Sequence, residues 1–178
     1  MKIYTRKGDD GTTGLLYGGR VRKDSALPTA YGSVDEAQAA LGVARAAAAG
    51  HGELGDILLD LERDLWVLMA ELATDPANRD KLTPGQSLVT QEMVDKLEAL
   101  IDDISDRFDP PTEFVVPGET VLAAHLDVAR TVVRRAERDA LATGLTDSLA
   151  IAYLNRLSDL VWTLARWKEG GSSRAVRQ

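Results

Sequence analysis

What most limits the folds open to this chain is a hydrophobic period of three to four residues. It recurs in five separate stretches and meets no competing alternation. Residues 53–74 show it best: Leu54, Ile57, Leu58, Leu61, Leu65, Leu68, Met69 and Leu72 fall along one helical face. The same spacing runs through 28–49 (Val34, Ala37, Leu41, Ala44) and 89–108 (Met93, Val94, Leu97, Leu100, Ile101, Ile104, Phe108). It returns in 119–142 (Leu122, Leu126, Ala129, Val133, Ala136, Ala140) and in 147–168 (Ala150, Tyr153, Leu154, Leu157, Leu160, Val161, Leu164, Trp167). Punctuation agrees with these limits. Pro28 suits the first turn of a helix with Ser25 as its cap, Pro110 and Pro111 stop the third stretch, and Gly144 stops the fourth. No strand–helix–strand spacing is present, which argues against P-loop and Rossmann architectures. The expected fold is all-α, a five-helix bundle in one domain over residues 1–178, with 25–168 as the helical body and 169–178 as a flexible tail.

Residues 1–24 stand apart. Gly8, Gly11, Gly14, Gly18 and Gly19 make a long helix there costly, at roughly 1 kcal/mol each relative to alanine, so an extended segment is expected. Lys2, Arg6, Lys7, Arg20, Arg22 and Lys23 face only Asp9 and Asp10 within residues 1–23, a local balance of +4. The whole chain carries −7, so the rest carries −11. A small basic segment on an acidic body suits a compact polyanion such as a nucleotide and argues against nucleic-acid binding. The plain alternative is a frayed basic tail. Absence of cysteine excludes disulfides and thiolate chemistry. No apolar run is long enough to span a membrane and no signal-peptide core follows Met1, so a cytoplasmic protein with no membrane partner is expected.

A bundle of this size first invites a di-metal carboxylate site, which needs Glu-x-x-His pairs. His51 and His125 are the only histidines, and neither has Glu three residues before it, so no protein metal site is expected. The segment from Thr5 to Gly19 combines glycines, hydroxyls and cations. Glycine lets backbone N–H groups close on phosphate oxygens, and Thr12 and Thr13 add donors, but the Gly-Lys-Ser/Thr ending of a Walker loop is missing. On the fourth helical stretch Arg130, Arg134 and Glu137/Arg138 share one stripe, while Arg135 and Asp139 are spaced to pair with each other. Such a stripe is either a solvated face or an anion grip, arginine being well shaped for phosphate. Asn155 and Asp159 lie one turn apart on the fifth helix, as a site edge or an interhelical hydrogen bond. Asp35 and Glu36 fit the favourable placement of acids early in a helix. The apolar loop Phe114-Val115-Val116-Pro117-Gly118 either plugs the bundle or walls a pocket.

Six elements in order resemble the PduO-type family of ATP:cob(I)alamin adenosyltransferases: Thr5 to Thr13, Gly19 to Asp24, Tyr31 to Glu36, Phe114 to Gly118, Ala129 to Arg138, and Tyr153 to Asp159. The resemblance implies a ferritin-like, cobalamin adenosyltransferase-like five-helix bundle forming a homotrimer with sites at subunit interfaces. It implies transfer of the 5′-deoxyadenosyl group of ATP to the cobalt of cob(I)alamin. By the same resemblance Thr5, Arg6, Lys7, Gly8, Asp10, Gly11, Thr12, Thr13, Arg20 and Lys23 wrap ATP, and Arg134, Glu137 and Asn155 contact it. Arg130 pairs with Asp35 of the neighbouring subunit, and Phe114 occupies the lower face of the corrin. Mg²⁺ accompanies the triphosphate, cobalamin is a substrate, and the product passes to an adenosylcobalamin-dependent enzyme. Gln38, Glu119 and the order Lys7-Gly8-Asp9-Asp10 depart from the usual family pattern. Rival readings are an ATP-dependent phosphotransferase, which would release ADP, and a non-catalytic scaffold or cofactor chaperone.

Overall fold

The computed structural model describes residues 3–49 and 52–176. His51 and Lys2 therefore lie outside the described residues. The chain opens with a hairpin of two three-residue strands, β1 (Thr12–Gly14) and β2 (Arg20–Arg22), paired antiparallel. Among the described residues five α-helices follow: α1 (Ala26–Ala47), α2 (Glu53–Leu72), α3 (Gln91–Ser105), α4 (Val121–Leu141) and α5 (Ala150–Glu169). Two-residue strands β3 (Val115–Val116) and β4 (Arg174–Ala175) pair antiparallel ahead of α4 and behind α5. Among the described residues no helix is long and apolar enough to cross a membrane.

α1 packs on α4 and α2, α4 on α5, and α5 on α3. The α1–α4 seam is built from small residues, with Ala30, Ala37 and Ala44 on one side and Ala129, Ala136 and Ala140 on the other, all essentially inaccessible. Small side chains at the crossing let the two backbones approach closely. Leucine fills the wider spaces, and Leu58, Leu65, Leu68, Leu126, Leu154 and Leu157 are fully buried. Thr120 and Thr90 cap α4 and α3, their hydroxyls accepting from Ala123 N at 3.1 Å and Met93 N at 3.4 Å.

Several expectations are corrected. Ser25 sits at the α1 cap position, yet its hydroxyl donates to the Arg22 carbonyl at 2.6 Å and caps nothing. Asp35 and Glu36 lie in the third turn of α1, whose first turn carries no acid. Arg135 does not pair with Asp139: it reaches Glu36 on α1, and Asp139 accepts from Ser33 at 2.5 Å. These two cross-helix contacts tie α1 to α4 more firmly than one within-helix pair would. The tail also departs from expectation, since Arg174–Ala175 forms β4 and Val176 N donates to the Phe114 carbonyl at 2.8 Å. A two-residue strand is too short to show any alternation in sequence.

Candidate functional site

The β1–β2 hairpin makes a cradle. Tyr4, Thr5, Arg6, Lys7, Gly8 and Asp9 fold over Thr12, Thr13, Gly14, Arg20 and Lys23, enclosing about 450 Å³. Arg20 is its strut: Nε and Nη2 donate to Thr12 Oγ1 at 2.9 and 2.6 Å, and Nη2 also reaches the Lys7 carbonyl. Asp10 holds the turn by accepting from Thr12 N at 2.9 Å and Thr12 Oγ1 at 2.7 Å. The Thr12 hydroxyl, then its amide, keep the Asp10 carboxyl below its ordinary value. Gly8 packs tightly, because a Cβ there would lie 3.0 Å from both Lys23 Nζ and the Thr12 carbonyl. Gly11, at φ 81°, makes the left-handed turn into β1.

The cations that remain decide what the cradle can hold. Arg6 lies over the Tyr4 ring, 5.6 Å from its centroid. Lys7 and Lys23 make no ion pair among the described residues and line the cavity together. Two unpaired ammonium groups, hydroxyl donors and a glycine-lined backbone form a site for a polyanion. Main-chain contacts fix the hairpin to the body: Leu16 N donates to the Ala73 carbonyl at 2.8 Å, at the C-terminal end of α2.

A second cavity, also about 450 Å³, lies between the 111–117 loop and the first half of α4. Phe114 walls it, as the loop was expected either to do or to plug the bundle, and the ring is 89% exposed. Asp127, Arg130, Trp162 and Arg166 form the opposite wall. Sequence reasoning found Arg130 but missed its three neighbours. Asp127 and Arg166 occupy core-facing positions on α4 and α5, and a charge within an apolar face was the signal available for finding them. Glu119, one of the family departures, pairs with Arg174 at 2.9 Å and so joins the Phe114 loop to β4.

Between the two cavities runs the α4–α5 stripe. Asn155 Nδ2 donates to Glu137 Oε1 at 3.0 Å, the interhelical bond that was one of its two readings. Asp159 instead takes Arg156 at 3.3 Å. Arg134 is exposed one turn beyond Arg130, and its guanidinium has no partner among the described residues. Asp35 is exposed on α1. Gln38, another departure, donates to the Glu62 carbonyl at 2.6 Å and is spent on packing. His125 is half-buried in α4.

The structure thus gathers Thr5, Arg6, Lys7, Gly8, Thr12, Thr13, Arg20 and Lys23 in the cradle, with Asp10 and Gly11 shaping its turn. It brings Phe114 and Arg130 together in the second cavity. It does not bring the two groups to each other. Ser33–Asp139 and Glu36–Arg135 show α1 and α4 running antiparallel, so the hairpin before α1 lies at the C-terminal end of α4. Phe114 precedes the N-terminal end of the same helix. Phe114 shares its cavity with Arg130, so the eleven residues from Thr131 to Leu141 lie between the two groups, a span of roughly 16 Å.

Comparison with known proteins gives a consistent set of likenesses. The sequence profile of the cobalamin adenosyltransferase family matches residues 3–168. A corrinoid adenosyltransferase of Citrobacter freundii is 43% identical over 171 residues, 94% of this chain and 95% of that protein. One from Mycobacterium tuberculosis (strain ATCC 25618 / H37Rv) is 40% identical, covering 98% of this chain and 96% of its own. The corrinoid adenosyltransferase PduO of Salmonella typhimurium is 39% identical over 98% of this chain, which spans 52% of that longer protein. In three dimensions the chain is similar to a histidine-for-phenylalanine variant of a PduO-type ATP:corrinoid adenosyltransferase from Lactobacillus reuteri, complexed with cobalamin and ATP. The TM-score is 0.87 at 27% identity, covering 99% of this chain and 97% of that one.

Proposed function

The chain belongs to the cobalamin adenosyltransferase family, and from that premise we propose that it transfers the 5′-deoxyadenosyl group of ATP to the cobalt of cob(I)alamin. The Co(I) electron pair attacks C5′, a cobalt–carbon bond forms, the C5′–O bond breaks, and its electrons leave with triphosphate. The substrate carries the difficult chemistry; the protein supplies placement and electrostatics. Lys7, Lys23 and the backbone of the cradle hold the triphosphate end, with Thr5, Arg6, Thr12 and Thr13 around it and Asp10, Gly11 and Arg20 shaping the loop. Arg134, Glu137 and Asn155 hold the nucleotide against α4 and α5. A well-placed donor facing charge that grows on the leaving group is worth about 3 kcal/mol of barrier, and fixing cobalt near C5′ contributes several more. Phe114 keeps water and the axial base from the lower face of the corrin.

Mg²⁺ arrives with the triphosphate and neutralises part of its charge. The donor set suits a cation carried mainly by phosphate oxygens and water, because Asp9 is the carboxylate that lines the cradle and Asp10 is already bound to Thr12. We further propose a homotrimer, working in the cytoplasm where ATP is supplied, that hands its product to an adenosylcobalamin-dependent enzyme. The observation that carries the oligomer is the separation of the cradle from the Phe114 cavity by the C-terminal half of α4 in one chain. A neighbouring subunit closes that gap, and Arg130 then meets Asp35 of the neighbouring subunit. Anaerobic incubation with ATP, Mg²⁺ and chemically reduced cobalamin tests the reaction: a cobalt–carbon spectrum with stoichiometric triphosphate is expected. Release of ADP instead would make the protein a phosphotransferase, and no product at all would favour a carrier.

A further inference from the structure

The second cavity rests on a buried ion cluster of which its proposed chemistry uses only Arg130. Asp127, 4% exposed, accepts from Arg166 Nη2 at 2.5 Å through Oδ2 and from Arg130 Nε at 3.1 Å through Oδ1. Arg166, 1% exposed, also holds the Glu169 carboxylate, with Nη2 donating to Oε1 at 3.2 Å. Glu169 in turn accepts from Ser173 Oγ at 2.7 Å, one residue before β4 begins. The two arginines and two carboxylates balance in charge, but burying them costs more than apolar residues of the same size would. Three of the four are sealed from solvent. Arg130 alone reaches the cavity, its side chain 26% exposed. Its Nε is taken by Asp127, while Nη1 and Nη2 have no partner among the described residues.

We propose that Asp127, locked in place by Arg166, is a positioning residue that grips Arg130 by its Nε and keeps its two terminal nitrogens aimed into the cavity beside Phe114. The inference rests on the corrinoid reading of that cavity. A guanidinium on a long flexible stem samples many rotamers, and tying one edge leaves a fixed fork for a carboxylate, which in the proposed assembly is that of Asp35 of the neighbouring subunit at the edge of the corrinoid cavity. Arg166 could not serve as that fork, since it is 1% exposed and its Nη2 is shared between Asp127 and Glu169. It sets the rotamer of Asp127, and through β4 the same cluster is linked to the loop that carries Phe114.

A double-mutant cycle with Asp127→Asn and Arg130→Ala tests this, read on the KM for cob(I)alamin and the KM for ATP. Asp127→Asn should raise the corrinoid KM roughly tenfold, the size of coupling seen between charged neighbours, and move the ATP KM less than about twofold. Arg130→Ala should then add little in the Asp127→Asn background. Additive effects, or an unchanged corrinoid KM, would overturn the proposal, because a merely structural residue would not act through Arg130. Asp127→Glu provides a second variant if Asp127→Asn fails to fold. It keeps the charge against Arg166 while shifting the oxygen by one methylene, and the same pattern is expected. A readout free of corrinoid is the Arg130 Nε–H resonance of ¹⁵N-labelled protein, assigned by its loss in Arg130→Lys. It should exchange slowly in the wild type and fast in Asp127→Asn; equal protection in both would also overturn the proposal. If the wild type never alkylates cobalamin, the proposed function fails, and the resonance still decides whether Asp127 holds Arg130.

Discussion

Phe114 projects into open space, whereas an apolar ring of its size is ordinarily covered, so its exposure has to be explained by what it meets. Phe114→Ala should depress turnover of cob(II)alamin plus reductant far more than turnover of pre-reduced cob(I)alamin, since only the first needs the lower face stripped of its ligand. Equal losses in parallel assays would remove the ring from that role. Arg134 is unpaired among the described residues on an otherwise cross-linked helix, and Arg134→Ala should raise the ATP KM or lower kcat by roughly 10²-fold, as loss of an oriented charge does; wild-type kinetics would refute the assignment. Asp64 answers to pH instead. Its Oδ2 accepts from the buried Tyr153 hydroxyl at 2.9 Å. Partial burial raises its pKa above the ordinary 3.8, and the Tyr153 bond and Lys96 only partly oppose this. The folded state therefore binds this proton more tightly than the unfolded one, so the contribution is favourable below pH 3.8 and is lost as pH rises through the raised value. Asp64→Asn, which keeps an oxygen for Tyr153, should gain on the wild type in urea midpoint as pH climbs through that window. A gap that narrows would contradict the sign. At this scale the sequence made Arg130, Phe114 and Lys23 legible because exposed arginine stripes, apolar loops and glycine-flanked cations stand out. Asp127 and Arg166 stayed hidden because their meaning comes from a partner 39 residues away.

The helices were legible to within two or three residues because each buries one stripe, and a stripe is a local property. α2 was expected over 53–74 and spans Glu53–Leu72; α5 was expected over 147–168 and spans Ala150–Glu169. Strands of two or three residues have no period to read, which is why β3 and β4 went unseen. The connection from α2 to α3 was equally opaque, since a buried charge clamp organises it. Arg79 Nη2 donates to Glu71 Oε1 at 2.9 Å and to the Asp147 carbonyl at 3.0 Å, while Glu71 Oε2 accepts from Val89 N at 2.8 Å. Glu71 is wholly inaccessible. Arg79→Met should lower unfolding free energy by about 3–5 kcal/mol in urea titration, because it strands a buried carboxylate, and adding Glu71→Gln should recover part of the loss. The end of α2 that this clamp steadies is also the end to which Leu16 is bonded, so the hairpin rests on a junction held by buried charge. Of the family departures, Glu119 is absorbed by Arg174 and Asp10 by Thr12, which leaves neither acid bare toward a ligand.

For the molecule as a whole, the acidic body and the cationic arm divide the labour that net charge alone concealed. On the proposed reading the single chain holds two halves of a site, and a neighbouring subunit faces them to each other. Sedimentation should accordingly show a trimer whose dissociation on dilution removes alkylation before it removes helical content; an active monomer would end the interface reading. Placing the halves at opposite poles of one subunit also has a genetic outcome. A chain crippled in its arm, such as Lys23→Ala, and a chain crippled at the far pole, such as Phe114→Ala assayed from cob(II)alamin, are each nearly inert alone. Co-expressed, they form mixed rings in which an intact arm from one faces an intact pole from the other. Random mixing restores roughly a quarter of the sites, so two dead alleles should complement each other within one ring.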